Sequence, residues 1–390
     1  MTRSVDGKRP RPTLQSLADA QSVRLREHFL RGGAAGSHPS TRTALILAWG
    51  LAALILLGYL AMTLYGIWGL IQMPQADNTV KRIVLLITAP VALMVAWVVR
   101  PTWGQRAGPA LNQQNAPELL GTVAEVASAL GVPVPQQIDL TSDLNASVGR
   151  RGRQTVLSLG LPLLYALGPQ ERVALIAHEL AHDQAGDPRH SQLLGSAAQI
   201  LDGMIGLLSP DALDQRNVPF RRLEVTRPDQ EMIWFKKAMT LPFLGLQWIF
   251  QLLTGQHSQA AEFRADLRAS RVAGSESVIN LLDRLHFTHL LEMAVQRQQT
   301  TPQRPHALAE LRQMWAELTP ERITRMRAGA ANERLRLDSS HPPTSDRLTV
   351  VGAHPAVPQL ILSAERSARI DAELAPHIPI LTVQMAERYG

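Results

Sequence analysis

Cysteine is absent from this 390-residue chain. That excludes a disulfide scaffold, a Cys-ligated metal site, a thiol nucleophile and an iron–sulfur cluster. Any metal must be held by His, Asp or Glu. Charge is also scarce: 18% of residues are Asp, Glu, Lys or Arg, below the usual quarter, so part of the chain avoids water. What charge there is leans basic, with a net +6 and a pI near 10.1. Such a balance raises nucleic acid as a partner only if the charge sits on a folded face. Residues 1–42 hold eight Lys/Arg and three Asp/Glu, and so carry +5 of that +6. The other 348 residues are close to neutral. The basic tail is rich in Gly, Ser and Pro and reads as disordered. Phe29 is the one Phe, Tyr or Trp among its charges, so the tail lacks aromatic interleaving and no nucleic-acid partner is expected.

Long hydrophobic runs follow the tail. Thr43 to Ile71 contains no charged residue and exceeds the roughly 20 apolar residues that cross a bilayer. Trp49, Tyr59, Tyr65 and Trp68 include plausible interface anchors. The run starts too late and is too long for a signal peptide. A second run, Ile83 to Val99, is bracketed by Arg82 and Arg100, contains Pro90 and completes a hairpin. The basic tail predicts a cytoplasmic N-terminus, an external loop at Gln72–Arg82 and a cytoplasmic chain after Arg100. The expected divisions are therefore a disordered cytoplasmic tail over 1–42, two transmembrane helices over 43–100, a catalytic domain over 101–350 and a C-terminal extension over 351–390.

The soluble part is expected to be mainly α with a small β-sheet. Ala116–Leu130 has helical periodicity and stops at Gly131. Gln137–Leu140 and Thr155–Leu159 read as short strands, with turn chemistry between them at Asn145-Ala146 and Gly149–Gly152. Pro169 opens a helix that runs to about Gly186. Two apolar stretches, Gln192–Ser209 and Ala238–Leu253, lie in an insertion over 192–254. Six basic residues between them and Asp202 within the first argue against a second spanning hairpin, because a central Asp costs about 2.5–3.5 kcal/mol to insert. Helices at the membrane interface, or covering the catalytic cleft, are expected instead. Beyond Glu262 the chain reads as helical to about Arg336.

The Pro169 helix contains His178-Glu179-Leu180-Ala181-His182, an H-E-x-x-H motif. Residues four apart on a helix share a face, so both imidazoles can reach one ion. Glu179 lies one step round and can approach a water on that ion. Zinc is the ion expected for His and carboxylate ligands with one open position. The metal would acidify the water, and Glu179 would take the proton and pass it to the leaving amine. Val173–Ala177 make the helix apolar nearly all round, so its polar groups must be satisfied by something. Downstream, Glu262-Phe263-Arg264-Ala265-Asp266 sets two carboxylates four apart on one helix face. One can bind metal while the other orients a ligand histidine; a solvated helix face has the same spacing.

His178–His182 together with Glu262-x-x-Ala265-Asp266 resembles the integral-membrane zinc metallopeptidases of the HtpX and CAAX prenyl endopeptidase superfamily, which are gluzincins. Asn145-Ala146 is similar to the family's Asn-Ala motif before its edge strand, although Ser147 stands where many relatives carry an aromatic residue. His341-Pro342-Pro343 through Arg347 resembles its late His-Pro…Arg element. The resemblance implies Glu262 as third zinc ligand and Asp266 as the carboxylate that supports the ligands from behind. It also implies substrate binding along Asn145, Ala146 and the strand Thr155, Val156, Leu157 and Ser158, by addition of an extended peptide to the sheet edge. His341 or Arg347 is a candidate oxyanion stabiliser. The expected function is that of a membrane-anchored zinc endopeptidase with one Zn²⁺ per chain. Its substrates would be misfolded or membrane proteins at the lipid bilayer, in quality control. The alternative is a catalytically silent, membrane-bound zinc-binding regulatory module.

Overall fold

The computed structural model describes residues 14–32, 39–101, 108–184, 192–208, 230–301, 306–330 and 342–389. Two helices, α2 (Pro39–Gln72) and α3 (Thr79–Val98), pair as a hairpin. Asn78 starts α3 by accepting a hydrogen bond from the Val80 amide at 2.8 Å. Among the described residues, the stretches Thr43–Gln75 and Thr79–Val98 are long and apolar enough to cross a membrane. Only 11% and 17% of their most apolar windows are buried, so they are not core helices of a globular body. The Tyr59 hydroxyl donates to the Ala96 carbonyl at 3.2 Å and ties the pair together.

The soluble body surrounds a four-stranded sheet: β1 (Ala110–Leu111), β2 (Gln137–Thr141), β3 (Ala146–Arg151) and β4 (Gln154–Gly160), in the order β1-β2-β4-β3. Strand β4 runs parallel to β2 and antiparallel to β3. This corrects the sequence reading in two ways. The stretch read as turn chemistry between two strands is itself mostly strand, since Ala146 to Arg151 pair with Leu159 to Gln154. Thr155, Val156, Leu157 and Ser158 lie on an interior strand bonded on both sides, so they offer no edge to a peptide; the edges are the two-residue β1 and, next to β4, β3. Only Gly152 keeps its turn role. Its φ of +61° starts a two-residue hairpin loop of the kind that needs glycine first. At the other end of β4, a Cβ on Gly160 would lie 1.9 Å from the Asp143 carbonyl oxygen. The bare glycine lets its amide bond Asn145 at 2.8 Å, which fixes where β3 begins.

Helix α4 (Pro117–Leu130) lies between β1 and β2 in the chain, and the short α5 (Leu161–Ala166) and α6 (Pro169–Gln184) follow β4 directly. Leu119, Val123, Leu140, Leu157, Leu159, Val173 and Ile176 join them in one core. Helix α7 (Gln192–Leu208) and the first part of α8 (Gln230–Ala273) correspond to the two apolar stretches. Both pack on the first half of α2, through Ala48, Ala52, Leu194, Ala197, Leu201 and Phe250. Asp202 is accommodated by the Gln247 amide, which donates to it at 2.5 Å. The second apolar stretch is not a separate element. It continues through Glu262 as one helix of 44 residues, about 66 Å long.

The remaining helices are α9 (Ser275–Leu285), α10 (His289–Thr300), α11 (Ala307–Ala316), α12 (Pro320–Ala330), α13 (Thr344–Ala353), α14 (Ala364–Leu374) and α15 (Ile378–Tyr389). The segment after residue 350 belongs to the body, since Ile370, Leu374, Leu381 and Met385 are fully buried in its core. Glu373 caps α4 by accepting from the Glu118 and Leu119 amides at 2.7 and 3.0 Å. The tail before α2 is not uniformly disordered either. Residues Leu14–Leu30 form α1, whose apolar residues find a partner surface that local composition does not reveal; residues 1–13 and 33–38 lie outside the described ones.

Asp371 on α14 accepts from Arg172 of α6 and from both terminal nitrogens of Arg312 on α11. Burial alone would raise its pKa, but the two guanidiniums hold it below the usual carboxylate range. A depressed folded-state pKa gives stability that is present above the unfolded value and lost as pH falls through the folded one. Asp371→Asn is therefore expected to cost about 3 kcal/mol at neutral pH, as for a broken buried pair. It should also remove part of the acid-induced loss below about pH 4. Thermal melts in detergent across pH check both.

Candidate metal centre

Helix α6 carries His178 and His182 on one face, with rings 4.8 Å apart between centroids. It is buried nearly all round, as Val173, Ala174, Ile176, Ala177, Leu180 and Ala181 show. Helix α8 crosses it and brings Glu262 and Asp266, both fully buried, to the same point. The Nε2 atoms of the two histidines are 3.2 Å apart. Glu262 places Oε2 3.5 Å from His178 Nε2 and Oε1 3.7 Å from His182 Nε2. Zinc with ligands at about 2.0–2.1 Å in tetrahedral array needs donor–donor distances of about 3.3 Å. The three side chains fit that requirement, and they form the buried metal-ligand group found among the described residues.

A second layer holds this triad. His178 Nδ1 is 2.9 Å from Asp266 Oδ1. That bond fixes the tautomer with Nδ1 protonated and leaves Nε2 facing the other two donors. Arg347, from α13, grips Asp266 with two hydrogen bonds of 2.7 Å, from Nε and Nη2. Its Nη1 lies 3.4 Å from Glu262 Oε2. Burial opposes charge on each of these groups, and their neighbours offset it. Arg347 and His178 hold Asp266 below the usual carboxylate range. Asp266 and Glu262 raise the pKa of His178 against its burial, a shift that an ion on Nε2 would oppose, and the carboxylates raise that of Arg347.

The sequence candidates are thus distributed unequally. His178, His182, Glu262 and Asp266 converge. Glu179, on the same turn, is partly exposed while Ala177, His178, Leu180 and Ala181 around it are buried. Arg347 is present, but its donors are committed to Asp266 and Glu262. Where an oxyanion donor was expected, its Nε and Nη2 donate to Asp266. Asn145 is exposed and Ala146 buried at the head of edge strand β3, which packs on α6. His341 lies outside the described residues. The Arg347–Asp266 grip was not anticipated; the one hint was an arginine in a late element similar to that of the family.

A helical body with an apolar hairpin and a His/His/Glu triad on two crossing helices has the form of a metal-dependent enzyme. Residues 113–353, more than half the chain, match the model of peptidase family M48, and the chain belongs to that family. Among similar proteins is "Protease HtpX" of Klebsiella pneumoniae subsp. pneumoniae, 27% identical over 269 residues that cover 64% of this chain and 84% of the relative. "Protease HtpX" of Erwinia tasmaniensis is 27% identical over 200 residues, covering 50% and 68%. "Protease HtpX" of Escherichia fergusonii is 26% identical over 212 residues, covering 50% and 68%. No solved structure matches the chain. Family, relatives and apolar helices together make it an HtpX-like membrane metalloprotease that acts on peptide or protein substrates.

Asp266→Asn keeps the size of the side chain but weakens its hold on the His178 ring. Metal affinity is expected to fall about 10- to 100-fold while the fold persists at lower stability, because the buried Arg347 loses its paired carboxylate. Competition with a chromogenic chelator reads the first, and circular dichroism the second.

Proposed function

We propose that the chain is a zinc endopeptidase in which His178, His182 and Glu262 hold the ion and Glu179 is the general base and acid. The observation that carries this is the ligand triangle, with a partly exposed carboxylate one residue along the same helix. When bound, zinc supplies a Lewis acid that acidifies water and polarises the scissile carbonyl. Glu179 accepts the proton of the attacking water and returns it to the departing amine nitrogen. Asp266 keeps His178 in the ligating tautomer. Arg347 holds Asp266 and Glu262 as carboxylates at a fixed separation, so the donor set does not reorganise during turnover.

The substrate is read as an extended segment laid along β3, whose outer side has no strand partner among the described residues. Addition to a sheet edge uses main-chain hydrogen bonds and tolerates many sequences. That tolerance suits a protease of misfolded or membrane-associated proteins. Docking of α1, which precedes α2, against the body that follows α3 supports a hairpin whose two ends lie on one side. The basic residues before Thr43 favour the cytoplasm for that side.

Glu179→Gln separates this reading from a silent zinc-binding module. Zinc content is expected to be unchanged while cleavage of casein falls by at least about 100-fold, the lower range for a lost general base. Cleavage at the wild-type rate by Glu179→Gln would contradict the role given to Glu179. A wild-type protein that retains zinc but never cleaves would favour the silent module.

A further inference from the structure

Helix α1 lies outside residues 113–353, the part that matches the family, yet it reaches both helices that build the second half of the site. Phe29 is 3% exposed and stacks against Phe263 with ring centroids 5.2 Å apart. Phe263 is fully buried and is the residue after Glu262. Val350, on α13, completes the same cluster, with Leu25 and Leu30 of α1 packed beside it. One turn before Phe29, Arg26 Nη1 lies 2.8 Å from Asp346 Oδ1. Asp346 is the residue before Arg347, and its side chain is 12% exposed, so this ion pair is partly desolvated. Each end of α1's contact therefore falls one residue from a group of the metal centre.

The arrangement has a mechanical reading. Helices α8 and α13 are far apart in sequence, and across their crossing Arg347 must keep two 2.7 Å bonds to Asp266. A shift of either helix by a fraction of an ångström would lengthen those bonds and release the His178 ring. An apolar wedge on α8 and an ion pair on α13, both from one short helix, fix the two relative to each other. We propose that α1 is a cis-acting brace of the metal centre and that Arg26 is a positioning residue acting through Asp346 and Arg347. The inference rests on the zinc peptidase reading. It adds that an N-terminal segment outside the family region sets how firmly the metal is held and how fast the bound substrate turns over.

The test uses the full chain in detergent or nanodiscs, with Arg26→Glu, Arg26→Gln, Phe29→Ala and the double variant Arg26→Glu/Asp346→Lys. Three quantities are read: zinc release to a chromogenic chelator, the visible spectrum of the cobalt-substituted protein, and kcat and KM on a soluble peptide. Arg26→Glu is expected to speed zinc release about tenfold, the lower bound for a disturbed supporting shell. It should also alter the cobalt spectrum and lower kcat with KM nearly unchanged. Arg26→Gln and Phe29→Ala follow in the same direction, and the double variant recovers to within about twofold of wild type. Wild-type release and kcat in both Arg26→Glu and Phe29→Ala would overturn the brace. So would a rise in kcat, which would make α1 a cover over the site, or failure of the charge swap to rescue. A wild-type chain that holds no zinc would overturn the peptidase reading and this one with it. An active, zinc-bound wild type indifferent to these changes overturns the brace alone.

Discussion

Two carboxylates, a guanidinium and two imidazoles share one dry place where α6 crosses α8, and each is tolerated there only because of the others. A single charge so buried would cost several kcal/mol. Asp266 is compensated by Arg347 and His178; Glu262 faces both histidines and Arg347. The rest of the body serves this constraint. The apolar face of α6 buries the histidines. The packing of α8 on α6 sets the glutamate distance, and α13 exists at that point to deliver one arginine. Metal affinity and protein stability are therefore coupled, because removing any one member leaves charges without partners.

The second organising fact is continuity. A single 44-residue helix carries the apolar surface that packs on α2 and, further along, Glu262 and Asp266. The metal centre is thereby tied to the membrane hairpin by rigid secondary structure. The same economy appears at the chain's ends. Residues after 350 supply the cap of α4 and the carboxylate that pairs Arg172 at the start of α6. Residues before Thr43 supply α1. The peptidase body is closed by segments from both termini.

Much of this was legible in the residues themselves. Pro169, Gly131 and the apolar runs mark α6, the end of α4 and the hairpin, because they act through local backbone chemistry and burial in lipid. H-E-x-x-H places two imidazoles on one face by helix geometry alone. Glu262 and Asp266 needed the resemblance, since their spacing is shared by ordinary exposed helices. What sequence could not give depends on non-local packing. Ala146–Arg151 looks like turn material because Gly149 and Gly152 sit in it, yet pairing with β4 makes it the edge strand. Leu14–Leu30 looks disordered until Phe29 meets Phe263. The boundary expected between an apolar insertion and the Glu262 helix is absent because nothing in the chain breaks the helix there. Arg347 was expected at a different task, because only the packing of α13 against α8 brings its Nε and Nη2 onto Asp266.

The account stands on one claim, that His178, His182 and Glu262 form a zinc site. Metal analysis of the purified full chain beside Glu262→Ala tests it most directly. One zinc per chain in the wild type, and a large loss in a variant that still melts cooperatively, is the predicted result. A stable wild-type protein purified without metal that takes up none when zinc is supplied, or equal zinc in both proteins, would contradict it.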